Sequence, residues 1–203
     1  MILVPDRSLE LLSRDFYERP TTEVSRDLLG RYLVLQRPGE ADHIGKLVEV
    51  EAYVGAEDRA SHASRGHTRR TAPMFEEAGR AYVYLIYGMY WCLNVVTEEV
   101  GQPCAVLIRA VEPVQGLTLA SNGPGKLCRA YGLDGTWNRA DMTSSPLRIT
   151  AGEPVDQASI AASPRVGVDY AAEWAEKPLR FFITGNRHVS RPPKPKRQDL
   201  LPR

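Results

Sequence analysis

The stretch VEVEAYV, residues 48–54, alternates apolar and polar side chains as a β-strand with two different faces does. Read as a strand, it places its valines on one face and Glu49, Glu51 and Tyr53 on the other. Two carboxylates and an aromatic ring on one face are unsuited to an apolar core. They suit a site in which a base acts beside a stacking surface. The stretch therefore predicts a strand that carries functional residues on one face.

The segments on either side of this strand read mostly as further strands, with a few helices. Helices are predicted over residues 8–19, 21–30 and 124–131, and strands over residues 31–36, 44–54, 81–86, 90–96, 104–111, 147–150 and 179–184. Mostly sequential strands with helices at the edges indicate an α+β fold with a largely antiparallel sheet. Because no repeat or low-complexity linker divides the chain, residues 1–190 are predicted to form a single domain.

A second stretch, YVYLIYGMYWCLN at residues 82–94, is dense in tyrosine. It reads as a β-hairpin with Tyr87, Gly88 and Met89 at its tip, where the glycine supplies the backbone freedom of a tight turn. Tyrosines on a sheet face usually pack as cross-strand pairs, which is the simplest interpretation of Tyr84. An aromatic ring at the tip instead faces solvent and indicates contact with a partner. Insertion between base pairs is one physical use of such a ring.

The amino-acid composition is that of a globular protein without membrane spans or a disulfide framework. The chain has 203 residues, of which 43% are hydrophobic and 25% charged, values that are ordinary for a globular protein. It contains no apolar run of membrane-spanning length and no evident secretory signal. Cys92, Cys104 and Cys128 are widely spaced and odd in number, which argues against a disulfide framework and against a Cys-rich zinc site. We therefore expect a cytoplasmic protein that does not enter a membrane.

Charge is balanced overall but uneven along the chain. The net charge of +1 lacks the global basic bias that is common in nucleic-acid-binding proteins. Residues 65–74 nevertheless include Arg65, Arg69 and Arg70 without any acid, and residues 187–203 are rich in Lys and Arg. Both tracts are open to two interpretations, solvated surface or attraction to phosphates. The proline-rich residues 191–203 predict a flexible basic tail.

Two basic residues outside these tracts are candidates for anion binding. Arg109 lies in the apolar strand CAVLIRAV, so it needs either a buried acidic partner or an anionic ligand. Lys126 lies in the first turn of the helix opened by NGPGK, where free N–H groups and the helix dipole attract phosphate. The glycine spacing there is not that of a Walker loop.

The loop that follows the strand at residues 48–54 could alternatively form a metal site. His62, His67 and Glu57 could be drawn as its ligands. Their spacing matches no standard zinc motif, and the region reads as a loop. A metal-dependent hydrolase is therefore kept as one hypothesis beside a metal-free one.

Seven segments, in this order along the chain, resemble the alkyladenine DNA glycosylases, also called 3-methyladenine DNA glycosylases of the mammalian type. The segments are LLGRYL (28–33), VEVEAYVGAEDRASH (48–62), PMF (73–75), YVYLIYGMYWCLN (82–94), LIRAVEP (107–113), NGPGKLC (122–128) and RVGVDYAAEWAEKPLRF (165–181). The resemblance runs from about residue 11 to residue 190. Several long motifs in one order make it specific.

The resemblance implies a single domain with a curved, mainly antiparallel sheet, surrounding helices and a protruding β-hairpin. It implies base excision repair, in which the N-glycosidic bond of an alkylated or deaminated purine in duplex DNA is hydrolysed after the nucleotide is flipped out, as DNA glycosylases in general do. The expected bases are 3-methyladenine and 7-methylguanine, with hypoxanthine and ethenoadenine as further candidates. The resemblance also implies a monomer that uses no metal or organic cofactor and does not cut the strand.

The resemblance further implies roles for residues at matching positions. Glu51 is expected to be the general base that deprotonates the attacking water, and Arg109 to help hold that water and a phosphate. The remaining expected site residues are the base pocket of Tyr53, His62, Tyr84 and Asn94, the intercalating Tyr87, the minor-groove contacts Met89 and Tyr90, and the phosphate contacts Arg70 and Lys126. Asn94 is expected to disfavour guanine by crowding its 2-amino group.

The chain also differs from the family pattern. Relatives commonly have Gly-Gly where this loop has Arg65 and Gly66, often have asparagine in place of Thr71, and carry a longer stretch in place of residues 114–121. These differences concern loop contacts to DNA and the range of lesions. They do not concern the core reaction. A damage-binding protein with little catalysis is kept as a separate hypothesis.

Overall fold

A computed structural model describes residues 9–153 and 155–191, which form one antiparallel sheet with short helices around it. The elements are α1 (Arg14–Tyr17), α2 (Thr21–Leu28), β1 (Tyr32–Leu35), β2 (His43–Val54), β3 (Ala81–Ile86), β4 (Tyr90–Thr97), β5 (Cys104–Gln115), α3 (Pro124–Tyr131), β6 (Leu147–Thr150), β7 (Ile160–Ser163) and β8 (Arg180–Ile183). Short 3₁₀ helices cover His62–Arg65, Ala72–Phe75, Gly135–Trp137, Gln157–Ser159 and Ala172–Trp174. The tail predicted over residues 191–203 lies, apart from Arg191, outside the described residues.

Strand β2 is the centre of the sheet. The strand order is β3-β4-β5-β2-β1-β6, and β8 also pairs with β2 and carries β7 on its other edge. One edge of β2 pairs with β5 along most of its length, and the other edge is shared between β1 and β8. The register between β2 and β5 shifts near Leu47 and Glu49, and such bulges increase local twist. The sheet curls into an antiparallel half-barrel, so the predicted α+β class with a curved sheet is confirmed.

The main core lies on the apolar face of β2, as the alternation predicted. Val50 packs there with residues of α2 and α3, among them Val24, Leu28, Leu127 and Tyr131. All five side chains are fully buried. Burial of the valine face leaves the face that carries Glu49, Glu51 and Tyr53 for the candidate site.

The helix predictions near the N-terminus were only partly right. The helix predicted over residues 8–19 is reduced to α1, because Leu11 forms a β-bridge with Thr150 instead of a helical turn. In α2, Thr21 is the first helical residue rather than a cap, and its backbone N–H donates to Glu98 Oε1 at 3.0 Å. A carboxylate distant in sequence therefore satisfies this helix terminus. Strand β7 was not predicted.

The hairpin and α3 follow their predictions closely. Strands β3 and β4 pair up to Ile86 and Tyr90, and α3 ends at Tyr131 with Gly132 as its C-cap, whose φ of 70° is left-handed. At the hairpin tip Tyr87 is 83% exposed and Met89 is 65% exposed. The predicted protrusion of the hairpin from the molecule stays a prediction.

Candidate active site

A cavity of about 1020 Å³ opens on the polar face of β2. It is lined by the predicted residues Glu51, Tyr53, His62, Tyr84, Tyr87, Met89, Tyr90, Asn94, Arg109 and Lys126. Glu51 and Tyr84, whose strands are separated by β5 and β4, therefore face one shared cavity. Arg70 is not among the lining residues. Its guanidinium donates to the Leu85 carbonyl at 3.1 Å and lies 5.5 Å from the centre of the Tyr84 ring.

The Glu51 carboxylate is fully buried and is held by three donors. Its Oε1 accepts a hydrogen bond from the Val166 N–H at 2.8 Å and lies 3.1 Å from Arg109 Nη1. Its Oε2 accepts from the Tyr53 hydroxyl at 3.1 Å. These contacts hold the carboxylate in one orientation at the cavity wall, where a general base would be needed.

Arg109 joins Glu51 to a second buried carboxylate. Its Nε donates to Glu49 Oε1 at 2.7 Å, while its Nη1 faces Glu51. Burial by itself would lower the pKa of Arg109, but the neighbouring carboxylates of Glu51 and Glu49 outweigh burial and raise that pKa above its usual value. The guanidinium therefore stays charged, and the partner that its apolar strand required is found.

Glu49 is enclosed by donors rather than open to the cavity. Its Oε1 also accepts from Arg180 Nε and from the Ser190 hydroxyl, both at 2.8 Å, and its Oε2 accepts from the Ser190 N–H. Burial would raise the pKa of Glu49, yet Arg109, the Ser190 N–H and Arg180 together lower it. The alternation in the sequence placed Glu49 on the correct face but indicated no role for it. Arg180 was not predicted to belong to the site, although it shows the same signal as Arg109, an arginine within a predicted strand.

A second buried ion pair supports Tyr53. Arg165 forms a two-pronged contact with Asp58 and also donates to the Ala52 carbonyl at 2.9 Å. Its guanidinium carbon lies 4.7 Å from the centre of the Tyr53 ring. Burial raises the pKa of Tyr53 well above its usual value, so the phenol keeps the proton that it donates to Glu51. This ion pair was not predicted from the sequence.

The opposite wall is aromatic and uncharged. The rings of His62 and Tyr84 lie 4.5 Å apart, and His62 Nδ1 is 2.9 Å from the Tyr82 hydroxyl. Burial, together with the charges of Arg70 and Arg65, lowers the pKa of His62 to about 4, so the imidazole is neutral at pH 7. The Asn94 side-chain amide donates to the Tyr82 carbonyl at 2.9 Å, which fixes its orientation.

The rim of the cavity joins the hairpin tip to α3. Tyr90 is 51% exposed and packs against the start of α3, where a Cβ added to Gly125 would lie 3.1 Å from the tyrosine side chain. Lys126 is exposed and donates to Asn122 Oδ1 at 3.3 Å. The glycine therefore permits the close approach of the hairpin to this helix.

Both histidines of the metal hypothesis contact other side chains. His62 contacts the Tyr82 hydroxyl, and the His67 ring lies 4.6 Å from the ring of Phe75. Across residues 9–153 and 155–191, no group of three or more His, Cys, Asp or Glu side chains could hold a metal ion. Over the same ranges, no helix has the length and apolarity needed to cross a membrane.

Comparison with known proteins agrees with the motifs. The profile of the family described as methylpurine-DNA glycosylase matches residues 15–187. A protein of Myxococcus xanthus (strain DK1622) is 47% identical over 189 residues, which cover 92% of this chain and 97% of the relative. One of Legionella pneumophila (strain Corby) is 48% identical over 180 residues, covering 89% and 98%. One of Methanocella arvoryzae is 48% identical over 197 residues, covering 90% and 97%.

Each of these three relatives carries the name "Putative 3-methyladenine DNA glycosylase". The family profile spans most of the chain, and the relatives match almost their whole length. The resemblance drawn from the sequence motifs is confirmed. The chain belongs to the methylpurine-DNA glycosylase family and is therefore a DNA glycosylase, a hydrolase of DNA repair.

Proposed function

We propose that the protein removes alkylated purines, 3-methyladenine foremost, from duplex DNA by hydrolysing the N-glycosidic bond, and that it leaves the strand intact. The observation that carries this proposal is that the buried Glu51 carboxylate and the rings of Tyr53 and Tyr84 line one cavity. A purine stacked inside a duplex cannot enter such a cavity, so the nucleotide must first be extruded. Extrusion costs a few kcal/mol and least for a damaged base.

In the proposed reaction a water molecule attacks the sugar carbon C1′ and gives a proton to Glu51. The electron pair of the glycosidic bond leaves with the purine. A purine alkylated at N3 or N7 is cationic, so it departs as a neutral base without prior protonation. Positive charge develops on the sugar as the bond breaks, and the Glu51 carboxylate stabilises it. Arg109 helps to hold the attacking water beside that carboxylate.

The walls of the cavity suit a cationic purine. Tyr53 and Tyr84 offer aromatic faces, and stacking contributes on the order of 1–3 kcal/mol per base in single-strand complexes. The same faces attract a cation through their quadrupoles. His62, being neutral at pH 7, does not repel it. Asn94 is proposed to crowd the 2-amino group of guanine. 7-Methylguanine, hypoxanthine and ethenoadenine are the further bases to be tested.

Duplex DNA is the proposed partner, bound by a monomer. Tyr87 is proposed to fill the space that the extruded nucleotide leaves, with Met89 and Tyr90 in the minor groove beside it. All three side chains are exposed at the hairpin tip. Arg70 and Lys126 are the proposed phosphate contacts, and both are exposed.

Replacement of Glu51 by Gln tests the mechanism. Glutamine can keep the geometry, because its carbonyl can accept from Val166 and Arg109 while its amide donates to the Tyr53 oxygen. Loss of the base is expected to lower single-turnover purine release at least about 100-fold. Binding to lesion-containing duplex is expected to persist. Normal turnover by Glu51→Gln would refute the mechanism.

A matched control is Glu153→Gln, since Glu153 is an exposed residue paired with Lys46 at the surface. It is expected to release purines at the wild-type rate. The hypothesis of a damage-binding protein is tested by incubating methylated DNA with the wild-type protein and detecting any released purine by chromatography. Tight binding without any free purine would favour that hypothesis over hydrolysis.

A further inference from the structure

The cavity lining carries more positive than negative charge. Glu51 is the one carboxylate among the lining residues that the structure describes, and Arg109 already pairs with it. Lys126, Arg129 and Arg191 also line the cavity, and all three are exposed. Three cations at the mouth therefore have no acidic counterpart in the lining. Such an arrangement attracts an anionic ligand.

Two of these cations have unengaged side chains. Over the described ranges, neither the Arg129 nor the Arg191 guanidinium forms a hydrogen bond, an ion pair or a ring contact. The deeper Arg109 and Arg180, by contrast, are both bound to the buried Glu49 carboxylate. The donors of Arg129 and Arg191 are therefore free to meet a ligand from outside the chain.

The backbone that carries Arg191 is held by the buried ionic cluster. Ser190 binds Glu49 through both its N–H and its hydroxyl, and Arg180 Nη2 donates to the Arg191 carbonyl. Glu49 is also the carboxylate that holds Arg109 against Glu51. The backbone position of Arg191 is therefore tied to the proposed catalytic carboxylate.

Arg129 reaches the same rim from a different element. It lies three residues after Lys126 on α3, so the two side chains share a helix face. The helix is anchored by the buried Leu127, Cys128 and Tyr131. Two separately anchored segments thus place cations around one opening.

We propose that Arg129 and Arg191 bind backbone phosphates of the DNA strand that carries the damaged purine, beside Lys126. Phosphodiesters supply negative charges on both sides of an extruded nucleotide, and the guanidinium group matches a phosphate through paired donors. This assignment rests on the proposed function, since it takes the cavity to be the place where that nucleotide enters.

The test is the salt dependence of binding to a lesion-containing duplex by Arg129→Gln and Arg191→Gln. Loss of one phosphate contact makes the negative slope of log association constant against log salt concentration shallower by about 0.9. It also weakens binding roughly fivefold near 0.15 M salt. Arg191→Lys, which keeps the charge, is expected to restore the wild-type slope.

Arg187→Gln is the matched control. It removes the same charge from an exposed position on the same C-terminal segment but outside the cavity lining. Wild-type slopes for Arg129→Gln and Arg191→Gln would overturn the assignment, as would an equal loss in Arg187→Gln. If the wild type bound DNA without releasing purine, the proposed function would be wrong. The salt dependence of binding would still show whether Arg129 and Arg191 contact phosphates.

Discussion

Glu49 and Glu51 are two residues apart on β2, and both are fully buried, but they differ in what surrounds them. Glu51 faces a cavity, whereas Glu49 is enclosed by Arg109, Arg180 and Ser190. An unpaired buried ion costs several kcal/mol, so the two arginines can lie in the interior only because the carboxylates are there. Glu49 is thus a positioning residue for Arg109 and, through it, for Glu51.

Replacement of Glu49 by Gln should strongly destabilise the fold, because Arg109 would keep only the Glu51 carboxylate and Arg180 would lose the carboxylate with which it forms an ion pair. Removing one member of a buried ion pair typically costs about 3–5 kcal/mol of unfolding free energy. Chemical denaturation of Glu49→Gln and wild type would measure the loss. The exposed pair of Lys46 and Glu153 provides the comparison, and Glu153→Gln should cost less than about 1 kcal/mol.

The same variant should change the response to acid. The pKa of Glu49 is lowered in the folded state, so on acidification the unfolded chain takes up a proton there before the folded protein does. The contribution of Glu49 to the unfolding free energy is therefore fully present above the pKa that Glu49 has in the unfolded chain. It is lost as the pH falls through the lower pKa of the folded state. Unfolding free energy should vary less with pH in that acidic window for Glu49→Gln. An unchanged acid dependence would contradict the assigned role of Glu49.

At the scale of elements, the hairpin β3–β4 carries an unusual turn. Tyr87 has φ of 53° and Gly88 has φ of 68°, so both central residues of the turn lie in the left-handed region. The left-handed region favours glycine and asparagine, and a left-handed conformation costs most other residues roughly 1–2 kcal/mol. A tyrosine here is both conformationally unfavourable and exposed, which favours a role in contact with DNA over a role in folding.

Replacement of Tyr87 by Asn should therefore have opposite effects on stability and on function. Asparagine tolerates the left-handed conformation, so the unfolding free energy should rise by up to about 1 kcal/mol. Capture of the extruded nucleotide should weaken, because the inserted ring is gone. Denaturation and single-turnover excision would measure the two effects. Tyr87→Phe keeps the ring and should excise normally; wild-type excision by Tyr87→Asn would remove the intercalating role.

At the scale of the whole molecule, one chain supplies the entire candidate site. The lining includes residues of β2, β5, the hairpin and α3, together with residues 60–62, 166–168 and 190–191. We therefore expect an active monomer. Activity per molecule should stay constant across enzyme concentration, and sedimentation should give the mass of one chain. Activity per molecule that rises with concentration, together with a larger sedimenting species, would contradict this expectation.

Net charge was a poor guide to the partner for a reason that is visible at the same scale. The chain carries only +1 overall, yet Lys126, Arg129 and Arg191 lie around one opening. Elsewhere acids and bases pair with each other, as Arg14 does with Asp141. The net charge of the chain sums the cations around the opening with the neutral pairs elsewhere. Binding of DNA depends instead on the local electrostatic field at the opening.

The sequence by itself determined the elements that depend on neighbouring residues. The alternation in residues 48–54 placed Val50 in the core and Glu51 on the site face, because successive side chains of a strand point to opposite sides. Turn chemistry located the hairpin tip, and Pro124 and Gly132 delimited α3. Motif order identified the family.

Only the tertiary structure decided which groups meet. Glu49 binds Arg109, 60 residues away, and Arg180, 131 residues away, while Glu51 accepts from the Val166 N–H at a separation of 115. These contacts form because the sheet curls and β8 pairs with β2. No local sequence pattern predicts contacts between residues so far apart in the chain. Burial then sets the neutral state of His62, since the pKa of an imidazole depends on the solvent and charges that the fold places around it.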